Sequence, residues 1–208
     1  TIETRTITDS HAVSDSILDA LGWLAGKVGP EDVCLLFMAG HGLTDSHNDF
    51  YFFFHVCIHH QLSTPAIRRK ELKTALGMIS GQVLFFLDAC YAGKLTIKRQ
   101  TFDTSITKFA GEMHADTPGI IMFASSRSDQ FSEELPALES GAFSQAVMEA
   151  FEGKADTWGG GHITVPMLEA YISERVMDLT DGRQTPITLK PAGLKNCSVI
   201  FAGKGSIP

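Results

Sequence analysis

The chain has 208 residues, 44% hydrophobic and 20% charged, enough for one substantial core in a single domain and far from the compositions of disordered or fibrous proteins. Its 17 Lys and Arg against 24 Asp and Glu give a net charge of -7, so no basic excess recommends nucleic acid or an anionic membrane as a partner. The apolar runs at 33–39, 83–87 and 120–124 fall far short of the roughly 20 residues that span a bilayer.

The first ten residues lack the basic segment and apolar core of a signal peptide. Ile17, Leu21, Leu24 and Val28 follow the spacing of an amphipathic helix, and residues 33–38 then form a short, continuous apolar run that predicts a buried parallel strand. Leu72, Ala75, Leu76 and Ile79 predict a second helix, and residues 83–87 a second buried strand. Residues 94–118 are polar and weakly periodic, an expected exposed connection. A third strand is predicted at 119–123, followed by an irregular stretch at 125–141 of the kind that is more often functional than incidental. Two helices follow, one carrying Phe143, Ala146, Val147 and Ala150, the other Val165, Leu168, Ile172 and Val176. Thr164 is placed to cap the latter, with Pro166 in its first turn. A last strand is expected at 196–202. Strands alternating with helices predict an α/β domain, a mostly parallel central sheet with helices on both faces and a site beyond the strands' carboxyl ends.

Two strand ends carry chemistry. The first apolar run leads into Ala39-Gly40-His41-Gly42 and the second into Asp88-Ala89-Cys90-Tyr91, so an imidazole and a thiol are expected on one rim of the sheet. A thiolate attacks carbonyl carbon well, but a free cysteine is mostly protonated at neutral pH and needs a neighbouring histidine to take its proton. His41 and Cys90 suit those two roles. The remaining cysteines, Cys34, Cys57 and Cys197, make no C-x-x-C pair with each other or with Cys90, and Cys34 and Cys197 lie in apolar stretches read as core. A reducing, cytoplasmic setting is therefore expected.

Together these motifs resemble the caspase-like cysteine peptidases, and within them the metacaspases and their bacterial, orthocaspase-type relatives more than the animal caspases. The resemblance rests on Phe37-Met38-Ala39-Gly40-His41-Gly42, on Leu87-Asp88-Ala89-Cys90-Tyr91-Ala92-Gly93, and on Met122-Phe123-Ala124-Ser125-Ser126 followed by Gly141-Ala142-Phe143-Ser144. The separation of 49 positions from His41 to Cys90 agrees with the roughly 50 of caspases. The resemblance implies a single caspase-like domain over 1–208: a His- and Cys-bearing part at 1–93, a linker at 94–118 and a pocket-completing part at 119–208. It also implies backbone N–H donors at Gly42 and Cys90 for the oxyanion of acyl transfer. Asp88 is implied to face the pocket for the side chain before the scissile bond, where aspartate-directed caspases carry glutamine. The arginine that clamps a substrate aspartate in those caspases falls on or beside Glu133 and Glu134 here. Both signs favour a substrate Arg or Lys, because a desolvated like charge is costly. Lys94, Lys98 and Arg99 are then candidate processing sites in the linker. The family's domain starts with a strand and helix upstream of anything in this sequence, to be supplied by a fused domain or a second chain.

The sequence departs from metacaspases at Tyr91-Ala92-Gly93, where His-Ser-Gly is usual, and at Ala39, where Ser is common. These changes bear on pocket polarity and leave the dyad intact. The chemistry requires no cofactor. Calcium is raised by the resemblance alone, since Asp45, Asn48 and Asp49 lack the ligand spacing of a calcium loop. The expected function is therefore a cysteine endopeptidase acting on protein or peptide substrates with a basic residue before the cut. Two other readings stay open: a catalytically silent caspase-like scaffold, and a zinc protein built on His55, Cys57, His59 and His60, three of which share a strand face without an obvious fourth ligand.

Overall fold

The computed structural model describes residues 2–44, 50–53, 66–91, 119–126, 134–135, 140–191 and 198–199. In chain order the elements are α1 (Ser14–Lys27), β1 (Val33–Thr44), β2 (Phe50–Phe53), β3 (Ala66–Arg68), α2 (Arg69–Gly77), β4 (Gln82–Tyr91), β5 (Ile120–Ala124), β6 (Glu134–Leu135) and β7 (Ser140–Gly141). They continue with α3 (Ala142–Glu149), β8 (Ile163–Thr164), α4 (Val165–Leu179), β9 (Ile187–Leu189) and β10 (Ser198–Val199).

The three predicted apolar strands are β1, β4 and β5, parallel neighbours at the centre of a six-stranded sheet ordered β3-β2-β1-β4-β5-β9. Their runs are continuous rather than alternating because β4 and β5 are buried on both faces. The short strands β2, β3 and β9 pair antiparallel outside this parallel core. On one face, Val83, Phe85 and Leu87 of β4 and Ile120 and Met122 of β5 pack with Ile17 and Leu21 of α1 and Leu72 and Leu76 of α2. On the other, Leu84, Phe86, Ile121 and Phe123 pack under α3 and α4, and Phe86 stacks on Phe123 with ring centroids 4.7 Å apart. α4 starts where the sequence predicts, the Thr164 hydroxyl accepting the Met167 N–H at 3.4 Å with Pro in the first turn.

The structure revises several boundaries. β1 and β4 do not end before the histidine and the cysteine but continue as strands through both, to Thr44 and Tyr91. The expected last strand is described only at Ser198–Val199, and it pairs with β8 in a separate ribbon; the outer strand of the main sheet is instead Ile187–Leu189. Within the irregular stretch, Glu134–Leu135 and Ser140–Gly141 form a short antiparallel ribbon leading into α3. The linker at 94–118 lies outside the described residues. No helix among the described residues is long and apolar enough to cross a membrane.

One strand is covered unequally. Val33, Leu35 and Phe37 of β1 are 40%, 46% and 45% exposed, while Cys34 and Met38, on the opposite face of the same strand, are buried. Leu35 and Phe37 stand in register with the buried Leu84 and Phe86 of β4, so the apolar layer continues onto β1 without its helical cover. Among the described residues, positions 33–40 of β1 pair with β4 alone, because β2 meets β1 only at 41–44.

Candidate active site

The candidate dyad is brought into register by strand pairing. β1 and β4 run parallel through ten paired positions, from Val33 opposite Gln82 to Gly42 opposite Tyr91, and within that ladder His41 is the direct partner of Cys90. Backbones of paired strands lie about 4.8 Å apart, so two positions 49 residues apart in sequence become neighbours. By the two-residue period, position 90 shares the strand face of Leu84, Phe86 and Asp88. His41 is half-buried, and its Nδ1 is buried with no hydrogen-bond partner among the described residues. A buried polar atom without a partner is uncommon and calls for an explanation other than packing.

The glycines flanking His41 act by close approach rather than by turning the chain. A Cβ built on Gly40 would lie 2.2 Å from the Phe53 carbonyl oxygen, and one on Gly42 would lie 2.9 Å from the Phe50 ring. β2 therefore crosses tightly against β1 at the level of the histidine, at a separation that only glycine permits. Cys34, buried lower on β1, illustrates the alternative fate of a thiol: burial pushes its pKa up to about 11, which keeps it protonated and inert.

Asp88 is 5% exposed and lies opposite Ala39, two residues below Cys90 on the same strand. Its Oδ2 accepts a hydrogen bond from the Ser144 hydroxyl at 2.5 Å. Ser144 is the third residue of α3, and the N-cap of that helix, Gly141, pairs with Glu134 in the short ribbon. The structure thus sets His41 in register with position 90, places Asp88 two residues below it, and ties Asp88 to α3 through Ser144, while Glu134 pairs with Gly141. Glu133, Lys94, Lys98, Arg99, the His55–Cys57–His59–His60 group and Asp45, Asn48 and Asp49 lie outside the described residues. Among the described residues, no group of three or more His, Cys, Asp or Glu is placed to hold a metal ion.

Sequence reasoning did not single out Ser144, nor the buried arrangement at the end of β5. There Ser125 and Ser126 are buried, and the Gln184 side-chain amide donates to the Ser125 carbonyl at 2.7 Å, fastening the chain after α4 to the rim of the sheet. Both features are contacts between residues more than fifty positions apart, invisible to local pattern.

A family model described as caspase domain, of the peptidase C14 group, matches residues 4–190. Among solved structures, the chain is similar to protein GSU0716 from Geobacter sulfurreducens, at 18% identity and a TM-score of 0.58, over 90% of this chain and 76% of that one. It is also similar to caspase-1 from Spodoptera frugiperda, at 14% identity and a TM-score of 0.47, over 85% of this chain and 67% of that one. No curated protein matches.

Proposed function

The chain belongs to the caspase-domain family of cysteine peptidases, and we propose that it is an endopeptidase that cuts after Arg or Lys through Cys90 and His41. The observation that carries this reading is the pairing of His41 with Cys90 on adjacent parallel strands. In the proposed reaction His41 takes the Cys90 thiol proton, the sulfur bonds to the scissile carbonyl carbon, and the developing oxyanion is stabilised by the backbone N–H groups of Gly42 and Cys90. His41 passes a proton to the leaving amine as the C–N bond breaks, leaving a thioester. Water, deprotonated by His41, then adds to the thioester carbon and returns the thiol. No step requires a cofactor.

Charge sets the proposed selectivity. A carboxylate at Asp88, buried and close to the nucleophile's strand position, favours a cationic side chain and repels an anionic one. Glu133 and Glu134, in the acidic stretch ahead of α3, are proposed to add negative charge to the same pocket. The linker bases Lys94, Lys98 and Arg99 are then cleavable by the enzyme's own specificity, in a polar segment between the dyad-bearing and pocket-completing parts. An upstream strand and helix, from a fused segment or a second chain, complete the domain. This is supported by the edge of β1 at 33–40 and the exposed Val33, Leu35 and Phe37, which match the hydrogen-bonding row and the apolar face such a unit needs.

The test is a fluorogenic peptide library varied at the residue before the cut. Efficient cleavage with Arg or Lys, and little with Asp, is expected; efficient cleavage after Asp overturns the selectivity, and no cleavage of any member by a protein whose Cys90 accepts an active-site label overturns the assigned substrate class.

A further inference from the structure

We infer that Ser144 is the positioning residue for the Asp88 carboxylate, and through it a determinant of selectivity for cationic side chains. The inference rests on the reading of Asp88 as the pocket's acid and adds what holds that acid charged and aimed. Asp88 is 5% exposed on a strand face otherwise lined by Leu84 and Phe86, both fully buried. Burial of this kind favours the neutral carboxylic acid, and a neutral acid would not attract a guanidinium or ammonium. A hydrogen-bond donor to a carboxylate oxygen works against that preference. The Ser144 hydroxyl meets Asp88 Oδ2 at 2.5 Å, within the short range of O–H···O⁻ bonds to an ionised acceptor.

The placement of the serine strengthens the effect. Ser144 is in the first turn of the eight-residue helix α3, so the carboxylate it holds lies near the end where unpaired backbone N–H groups favour negative charge. The hydroxyl also removes rotational freedom from the carboxylate, which fixes the direction in which charge is presented to a substrate. A serine in a first helical turn commonly caps its own helix, yet here the N-cap is Gly141 with no side-chain cap, and the serine reaches out of the helix to another element. Asp88 and Ser144 are 56 residues apart, on opposite sides of the 94–118 linker. The pocket-completing part of the chain therefore sets the selectivity of an acid carried by the part that bears the nucleophile.

The experiment compares two peptides that differ only in arginine against citrulline, its uncharged near-isostere, before the scissile bond. Wild type, Ser144→Ala, Ser144→Thr, Ser144→Cys and Asp88→Asn are assayed for kcat and KM on both. Ser144→Ala is expected to lower the arginine-to-citrulline ratio of kcat/KM about tenfold, the scale of one hydrogen bond to a charged group, with most of the loss in KM for the arginine peptide. Ser144→Thr keeps the hydroxyl and restores the ratio to within about threefold, and the weaker donor of Ser144→Cys gives an intermediate value. A wild-type ratio in Ser144→Ala, alongside a collapsed ratio in Asp88→Asn, overturns the role of Ser144 and leaves that of Asp88 standing. An unchanged ratio in Asp88→Asn overturns the reading of Asp88 itself and the inference with it. Equal losses on both peptides in Ser144→Ala, unrescued by Thr, reduce Ser144 to a structural contact. If Ser144→Ala does not fold, the Cys variant decides, since an unchanged ratio there also overturns the inference.

Discussion

The two faces of the central sheet are built to different ends. Under α1 and α2 the face is sealed across β1, β4 and β5: Cys34, Met38, Val83, Phe85, Leu87, Ile120 and Met122 are all buried. Under α3 and α4 only β4 and β5 are sealed, and the stripe Val33, Leu35 and Phe37 stays open. His41, Asp88 and position 90 belong to this second, half-covered face, at its upper end. The sealed face supplies rigidity to strands whose other side carries the candidate site, an arrangement in which packing on one surface can support chemistry on the other.

The largest expected effect concerns the chemical end of the open face. Cys90→Ala is expected to eliminate peptide cleavage while leaving the circular dichroism spectrum and melting cooperativity of the domain intact, and His41→Ala to slow cleavage about a hundredfold or more. Turnover by pure Cys90→Ala protein would remove the dyad from the comparison altogether. Next comes the sealed face: Phe85→Ala, at a position with no exposure, is expected to cost about 3–5 kcal/mol in urea unfolding. A cost below about 1 kcal/mol would show that this face is not the packed one.

Asp88→Asn is expected to erode the preference for Arg and Lys by more than about tenfold in kcat/KM, read from paired peptides with basic and neutral residues before the cut. That result would separate the functional carboxylate of the open face from one that merely caps a helix.

How much of this contrast could be read beforehand depended on range. The parallel strands and four helices announce themselves through apolar runs and i, i+3, i+4 spacing, and the dyad through motifs at the ends of two such runs. What escaped was set by partners rather than by local pattern. β1 and β4 run on as strands because β2 and the β1–β4 ladder hold Gly40 to Gly42 extended, although glycine at a strand end reads as a turn. The three residues of β9 are too few to show a period. The Ser144–Asp88 bond joins a helix start to a strand 56 residues away, and no spacing rule reaches that far.

A smaller effect probes how the open face's helices are fixed. Glu149 of α3 is 4% exposed and accepts hydrogen bonds from Arg175 Nε and Nη2 of α4 at 2.8 and 3.0 Å and from the Tyr171 hydroxyl at 2.8 Å. The guanidinium holds the Glu149 carboxyl well below the usual carboxylate range, and burial together with this carboxylate pushes Tyr171 up to about 12. A depressed folded-state pKa means stability that is present above the ordinary Glu value and is lost as pH falls through the folded value. Glu149→Gln is therefore expected to melt about 2–4 °C lower at pH 7, with the gap to wild type closing only below about pH 4 in thermal scans. A gap that widens on acidification would contradict the pairing. The smallest effect belongs to the open stripe itself. Phe37→Ala, at 45% exposure, is expected to change unfolding free energy by less than about 1 kcal/mol in this chain, a fraction of the Phe85 cost. The same substitution would become costly once an upstream strand and helix cover the stripe, which unfolding of a longer chain measures.

The candidate dyad occupies the ninth of the ten rungs of the β1–β4 ladder, counted from Val33, with eight rungs beneath it and one above. Ladder ends open more often than ladder middles, and such openings need not involve the rest of the domain. Parting the last two rungs separates imidazole from thiol while the buried core under α1 and α2 stays folded. Heat is therefore expected to silence the proposed activity before it melts the domain, and cooling to restore it without refolding. The tight crossing of β2 over Gly40 and Gly42 braces those same rungs. With the proposed activity, loosening the contact between Phe50, Phe53 and these two glycines is expected to lower the temperature at which cleavage fades more than the temperature at which the chain unfolds.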